Sequence, residues 1–184
     1  MKAFADDIEL IKRCEDGNRS AFEELVRKYQ DKIYNVCCYM LHDRDNAQDA
    51  AQEVFLKAYS RLKDFRGDCA LYSWLYRIAV NTCLDQKRKS PDAADSSEPA
   101  PSVEDLPTSG PSPEQLYQSK ETGQAIQAAL QKLPDILRAA IVLKEIEGLS
   151  YEEIADSLDT SVGTVKSRIS RAREELRRLL RGRI

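Results

Sequence analysis

Apolar residues recur along this chain at helical spacing, and no stretch shows the strict alternation of a strand. Phe22, Leu25, Val26, Tyr29, Ile33, Val36 and Cys37 keep a step of three or four residues, which puts them on one stripe of a long helix. A second stripe follows in Ala47, Ala50, Ala51, Val54, Phe55, Ala58 and Leu62, with Asp45 as the expected N-cap and Asp49, Gln52, Glu53 and Lys57 off the stripe. Phe65-Arg66-Gly67-Asp68 reads as a turn. A third helix is predicted over about 71–89, with Leu71, Trp74, Leu75, Ile78 and Thr82 facing inward. Near the end of the chain Ser150 and Glu153 carry the signature of a capping box, and Ile154, Ala155 and Leu158 give the helix they open an inward face. Asp159-Thr160 breaks that pattern. Ser161 then caps a last helix whose Val165, Ile169, Ala172 and Leu176 fall on one stripe.

The face of that last helix opposite its stripe is unusual. Gly163, Ser167 and Ser170 make it small, and Lys166 and Arg171 flank it. Small residues let a helix approach a groove closely, hydroxyls hydrogen-bond there, and cations neutralise phosphates. Two helices joined by a short turn, the second with such a face, are what a recognition helix requires. A solvated hairpin with a basic last turn would also suit the helix dipole, but the charge distribution favours nucleic acid. Residues 164–184 hold eight Lys or Arg against two Glu, a net of +6, on a chain whose net charge is −3. A concentrated positive end on an acidic protein is an electrostatic footprint for a polyanion.

Composition divides the chain. Residues 90–119 contain no Lys or Arg, six acids and six of the seven prolines. Such a segment cannot bury enough apolar surface to offset its ordering, so it is expected to be a flexible acidic tether. The expected organisation is all-α: a helical domain over 1–90, a linker over 91–112 and a second helical domain over 113–184. No apolar run approaches the roughly 20 residues that span a bilayer. The first residues, MKAFADDIELIKRCEDG, hold acids throughout and lack the apolar centre of a signal peptide. A cytoplasmic protein with no membrane insertion of its own is therefore expected.

Little in the chain suggests catalysis or a cofactor. The five cysteines, Cys14, Cys37, Cys38, Cys69 and Cys83, are odd in number and form no CxxC pair, a poor basis for disulfides or zinc. His42 is the only histidine, and there is no glycine-rich phosphate loop and no nucleophile with a base. No enzyme activity, metal or cofactor is expected. The third helix carries other chemistry. Arg77, Asn81 and Arg88 share a predicted outward face, and asparagine is a poor mid-helix residue that invites a functional reason. Tyr72 and Tyr76 lie beside basic residues, which suits stacking on unpaired bases as well as plain packing.

Taken together, DNAQDAAQEVFLKAY at 45–59, FRGDCALYSWLYRIAVNTCLDQKRK at 65–89 and LPDILRAAIVLKEIEGLSYEEIADSLDTSVGTVKSRISRAREEL at 133–176 resemble the extracytoplasmic-function sigma factors. These are small members of the sigma-70 family of bacterial RNA polymerase subunits. The resemblance covers nearly the whole chain apart from the linker. It implies a region two domain that docks on the clamp helices of the polymerase β′ subunit, with Asp49, Gln52 and Glu53 in the docking positions. It also implies that the turn at 65–70 and the helix after it open and read the minus-ten element, with Arg66, Arg77, Asn81 and Arg88 on that path. The second domain would be region four, which binds the β flap and reads the minus-thirty-five duplex. Thr164, Lys166, Ser167, Ser170 and Arg171 fall at its base and phosphate contacts.

The linker would thread the RNA-exit path, where an acidic tether suits mimicry of nucleic acid. Promoter-directed initiation in a stress response is the implied function, and an anti-sigma factor is a further partner that the resemblance allows. Two positions depart from the pattern. Lys166 stands where arginine is frequent, which weakens bidentate guanine readout, and Ser170 is too small for an apolar contact to a thymine methyl. The alternative is a helix-turn-helix regulator whose first domain senses a signal or dimerises, and which binds a two-fold operator without polymerase.

Overall fold

A computed structural model describes residues 2–89 and 123–181; the expected 91–112 linker lies outside the described residues. Every regular element among them is helical. The first group comprises α1 (Lys2–Glu15), α2 (Arg19–Leu41), α3 (Arg44–Arg61), a single 3₁₀ turn at Leu62–Asp64, and α4 (Leu71–Lys89). The second comprises α5 over 123–131, α6 (Asp135–Glu145), α7 (Tyr151–Leu158) and α8 (Val162–Leu180).

The first group is a bundle in which α2, α3 and α4 each pack on the other two. Their facing stripes supply Leu25, Ile33, Val36, Ala50, Val54, Leu75 and Ala79, all closed to solvent. The alanines of α3 bring its backbone close to its neighbours, as expected where small residues line a helix contact. Helix α1 packs on α2 through Leu10 and Ile11, and a buried carboxylate fixes it there. Asp7 accepts hydrogen bonds from the Tyr29 hydroxyl at 2.7 Å and the Lys28 ammonium at 2.5 Å. Burial, and then the Asp7 carboxylate, push the Tyr29 phenol far above its usual range.

The expected N-cap at Asp45 is replaced by Asp43. Helix α2 ends on His42 in the left-handed region, at φ +61°, and this turns the next residue into an extended conformation. Asp43 then accepts from the Asn46 amide at 2.7 Å, leaving Asp45 in the first turn of α3. A carboxylate in a first turn still complements the helix dipole.

In the second group, α6 packs across α8 and α7. The most unusual core member is Arg138, which is 2% exposed. Its guanidinium donates to the carbonyls of Leu130, Gln131 and Leu133 at 2.7–2.8 Å and to the Asp135 carboxylate at 2.7 Å. It therefore satisfies the orphan acceptors at the end of α5. Gly148 sits at φ +69° after α6, a conformation that glycine adopts without a Cβ penalty, and the Leu149 amide bonds back to the Leu143 carbonyl at 3.1 Å.

The two groups pack against each other. Helix α7 lies on α4, and the end of α2 meets α5 and α6. Arg138 Nη1 reaches the Met40 carbonyl at 3.2 Å, Gln131 Nε2 reaches the Tyr39 carbonyl at 3.0 Å, and Lys87 bonds Asp135 at 2.7 Å.

Candidate nucleic-acid interface

The helix-turn-helix is held by its caps. Ser150 Oγ accepts from the Glu153 amide at 3.2 Å, and the Glu153 carboxylate accepts from the Ser150 amide at 2.7 Å, so the reciprocal box expected from the sequence forms. Asp159 then takes φ +49°, the Thr160 amide bonds the Ala155 carbonyl at 3.0 Å, and the chain turns. Ser161 Oγ accepts from the Thr164 amide at 3.2 Å and starts α8. The Thr164 hydroxyl lies 2.9 Å from Ser161 Oγ, so it belongs to the cap. Val165, Ile169 and Ala172 face the core. Lys166, Ser167, Ser170 and Arg171 are all exposed, as is Gly163.

A residue that sequence reasoning missed stands beside this face. The Tyr151 ring lies 5.6 Å from the Lys166 ammonium and 5.0 Å from that of Lys144. A cation over an aromatic face is attracted by the ring quadrupole, so Tyr151 restrains the Lys166 side chain near the start of α8. Next to it Arg173 makes a forked contact to Glu145, at 2.7 and 3.1 Å, that ties α8 to the end of α6. Tyr151, Lys166, Ser170, Arg173 and Arg177 line a shallow concave patch. Tyr151 lies directly after the cap, off any stripe, and its partners come from two other helices, so no local pattern announces it.

On the first bundle the polar positions of α3 separate. Asp49 and Gln52 are exposed. Glu53 is not free: its carboxylate takes the Lys57 ammonium at 2.8 Å and lies 3.5 Å from Gln86 Nε2 on α4. The Lys57 hydrogen bond holds it below the usual carboxylate range against the opposing effect of burial. Beside Gln52, Phe22 and Val26 of α2 with Phe55, Leu56 and Tyr59 of α3 form an apolar groove. Leu56 and Tyr59 are 71% and 57% exposed there, and the Phe22 and Tyr59 rings meet edge to face at 4.9 Å. The signal for this groove was present in the sequence: Leu56 and Tyr59 are large apolar residues off the buried stripe of α3.

Along the turn and α4, Arg66, Asn81 and Arg88 are exposed. Arg77 is not on an open face. It is half-buried, and its guanidinium donates through Nε, at 3.0 Å, and Nη2 to the Asp156 carbonyl of α7. Tyr72 donates to Glu153 and Tyr76 to Glu147. Burial and then the Glu153 hydrogen bond push the Tyr72 phenol up to about 12. Burial raises the Glu147 carboxyl, which the Tyr76 hydroxyl only partly offsets. Burial acts the same way on Glu153, but the Tyr72 hydroxyl and the Ser150 amide and hydroxyl donate to it and leave it below its usual value.

Sequence comparison identifies both halves. Residues 25–91 match the family description Sigma-70 region 2, and residues 123–176 match Sigma-70, region 4. The chain is 42% identical over 184 residues to the RNA polymerase sigma-H factor of Pseudomonas aeruginosa, covering 95% of this chain and 93% of that one. It is also 42% identical over 177 residues to the ECF RNA polymerase sigma-E factor of Escherichia coli K12, covering 91% of this chain and 90% of that one. The chain belongs to the extracytoplasmic-function sigma factors of the sigma-70 family.

Solved structures agree. CnrH in complex with the cytosolic domain of CnrY aligns with a TM-score of 0.69 and 27% identity over 94% of this chain and 95% of that one. The sigma factor RpoE in complex with the anti-sigma factor NepR, from Bartonella quintana, aligns at 0.65 and 26% over 88% and 97%. Membership sets aside the free-standing regulator. Sigma factors are initiation factors and not enzymes, and among the described residues no helix is long and apolar enough to cross a membrane.

Proposed function

We propose that this sigma factor docks on core RNA polymerase through the exposed strip of α3 and reads promoters with two separate surfaces, the turn and α4 for the minus-ten element and α8 for the minus-thirty-five duplex. The observation that carries the reading is the exposed, small, cation-flanked face of α8 on a capped helix-turn-helix. It occurs in a chain where the region 2 and region 4 matches follow in order. In this assignment Asp49 and Gln52 meet the β′ clamp helices, and the apolar groove of Leu56 and Tyr59 gives the same contact its buried area. Glu53 contributes by fixing α3 on α4. Arg66, Asn81 and Arg88 line the exposed part of the minus-ten path. Thr164 caps the recognition helix, Lys166, Ser167 and Ser170 face base edges, and Arg171 sits at the backbone. The β flap takes the other side of region four, and an anti-sigma factor is a regulatory partner. The protein works in the cytoplasm, where polymerase and promoter are.

The test is run-off transcription with core polymerase over a promoter library, together with core pull-down by an Asp49→Ala/Gln52→Ala chain. Both residues are exposed, so the helical signal and the stability should hold within ~0.5 kcal/mol, while core binding weakens and transcripts from every promoter fall together. Undiminished core binding by the variant would remove α3 from the clamp contact.

A further inference from the structure

A side chain that reads a base must hold its donors in one place. Arginine does so with a planar fork. Lysine carries its ammonium on a flexible stem and needs a restraint from outside. Lys166 is exposed near the start of α8, and among the described residues no carboxylate or carbonyl takes its ammonium. It meets the Tyr151 ring instead, at 5.6 Å. That ring is itself fixed, from the end of α6. Lys144 donates to the Leu149 carbonyl at 2.8 Å, which pins its ammonium 5.0 Å from the same ring. Arg173 is forked on Glu145, and the Tyr151 hydroxyl is close enough to act on its guanidinium. Tyr151 is also half-buried and follows directly on the Ser150 capping box, which holds the backbone beneath it.

We propose that Tyr151 is a positioning residue for base reading, holding Lys166 so that its ammonium meets one base edge of the minus-thirty-five duplex. The ring face attracts the ammonium, and Lys144, fixed on the same ring, repels it; together they narrow the arc that the lysine stem can sweep. A lysine so restrained acts as a directed donor to the N7 and O6 acceptors of a guanine, and not as a mobile counter-ion for phosphates. Tyr151 acts through Lys166 and touches neither base nor backbone in this role. Removing the ring leaves the Lys166 charge in place, so attraction to any duplex survives while the preference at one position fades. The inference deepens the assignment of α8 to the minus-thirty-five duplex and rests on it.

The experiment titrates the full chain against the duplex that it selects from a randomised pool, against single-base variants of that duplex and against an unrelated duplex, at several salt concentrations. Tyr151→Leu keeps an apolar side chain without a quadrupole. It should lower discrimination at the position that Lys166 reads by about threefold, the size of a cation–π contact at an exposed site. Affinity for the unrelated duplex and the salt slope should not change. Tyr151→Phe keeps the ring and should keep most of the discrimination. Tyr151→Met, unbranched and adaptable, repeats the leucine test if leucine packs badly. In a chain that already carries Lys166→Ala, Tyr151→Leu should change discrimination no further, because both substitutions remove the same interaction.

Equal loss of affinity for every duplex in the leucine and methionine chains would overturn the proposal, since a phosphate contact or a merely structural ring would act in that way. A phenylalanine chain that loses as much discrimination as the leucine chain would overturn it too. Lys166→Ala separates this from failure of the α8 assignment. If Lys166→Ala relaxes one position and Tyr151→Leu does not, Lys166 reads the base unaided and only the positioning has failed. If Lys166→Ala relaxes none, Lys166 is not a reader, and the role of Tyr151 falls with it.

Discussion

His42 shows how one backbone conformation sets a pH response. It closes α2 at φ +61°, where asparagine is the best-tolerated replacement after glycine. Burial, and then the Arg138 guanidinium across the module seam, lower its imidazole below the ordinary 6.5, against a small opposing effect of Asp43. The folded chain thus binds this proton more weakly than the unfolded chain. Above pH 6.5 both states are neutral and the full stability is present. As pH falls through 6.5 towards the folded value, the unfolded state protonates first and stability is lost. His42→Asn should remove that component. The chain should then lose less stability between pH 7.5 and 5.5 than the parent, by under ~1 kcal/mol because the group is only partly buried. Thermal melts at the two pH values read the difference directly, and parallel losses in parent and variant would refute the assignment.

Helix α6 depends on its one buried charge. Removing the guanidinium of Arg138 strands the Leu130, Gln131 and Leu133 carbonyls at the end of α5 and the Met40 carbonyl of α2. Arg138→Met keeps the stem and should cost ~3–5 kcal/mol in urea denaturation. Arg138→Lys should recover little, because a single ammonium cannot reach acceptors arranged around a planar fork. A loss below ~1 kcal/mol in the methionine variant would show that water satisfies those carbonyls instead. None of this was legible in the sequence, where Arg138 looks like one more charge in a helix. What was legible is what a single helix determines for itself. The alanine stripe of α3, the bounds of α4, the box of Ser150 with Glu153 and the cap at Ser161 all follow from spacing and local hydrogen bonding. Helices α1, α5 and α6 went unassigned; α6 opens on Pro134 with no side-chain cap to mark its start. Arg77 was placed on an open face because its partner, the Asp156 carbonyl, lies 79 residues away, and periodicity carries no information at that range.

Across the whole molecule, charge is distributed so that attraction to DNA is local. The chain carries −3 overall while residues 164–184 carry +6. At ~0.1 M salt the Debye length is about 10 Å, so the acids elsewhere are largely screened from a duplex lying on α8 while the cations of that helix are not. The free chain should therefore bind a minus-thirty-five duplex without polymerase, and more weakly as salt rises. Two residues on the exposed face should divide the work. Arg171 sits at its edge, and Arg171→Ala should lower affinity for every sequence and flatten the salt slope by about one. Lys166 lies one turn nearer the helix start and is held against the Tyr151 ring at 5.6 Å, which keeps its ammonium in one place relative to a base edge. Lys166→Ala should cost ~1–3 kcal/mol of discrimination at a single position, a guanine being the expected partner, with little change at the others. Titration of the full chain against the duplex and its single-base variants at several salt concentrations separates the two. Uniform losses in both variants would mean that α8 only positions the protein and that base reading lies elsewhere.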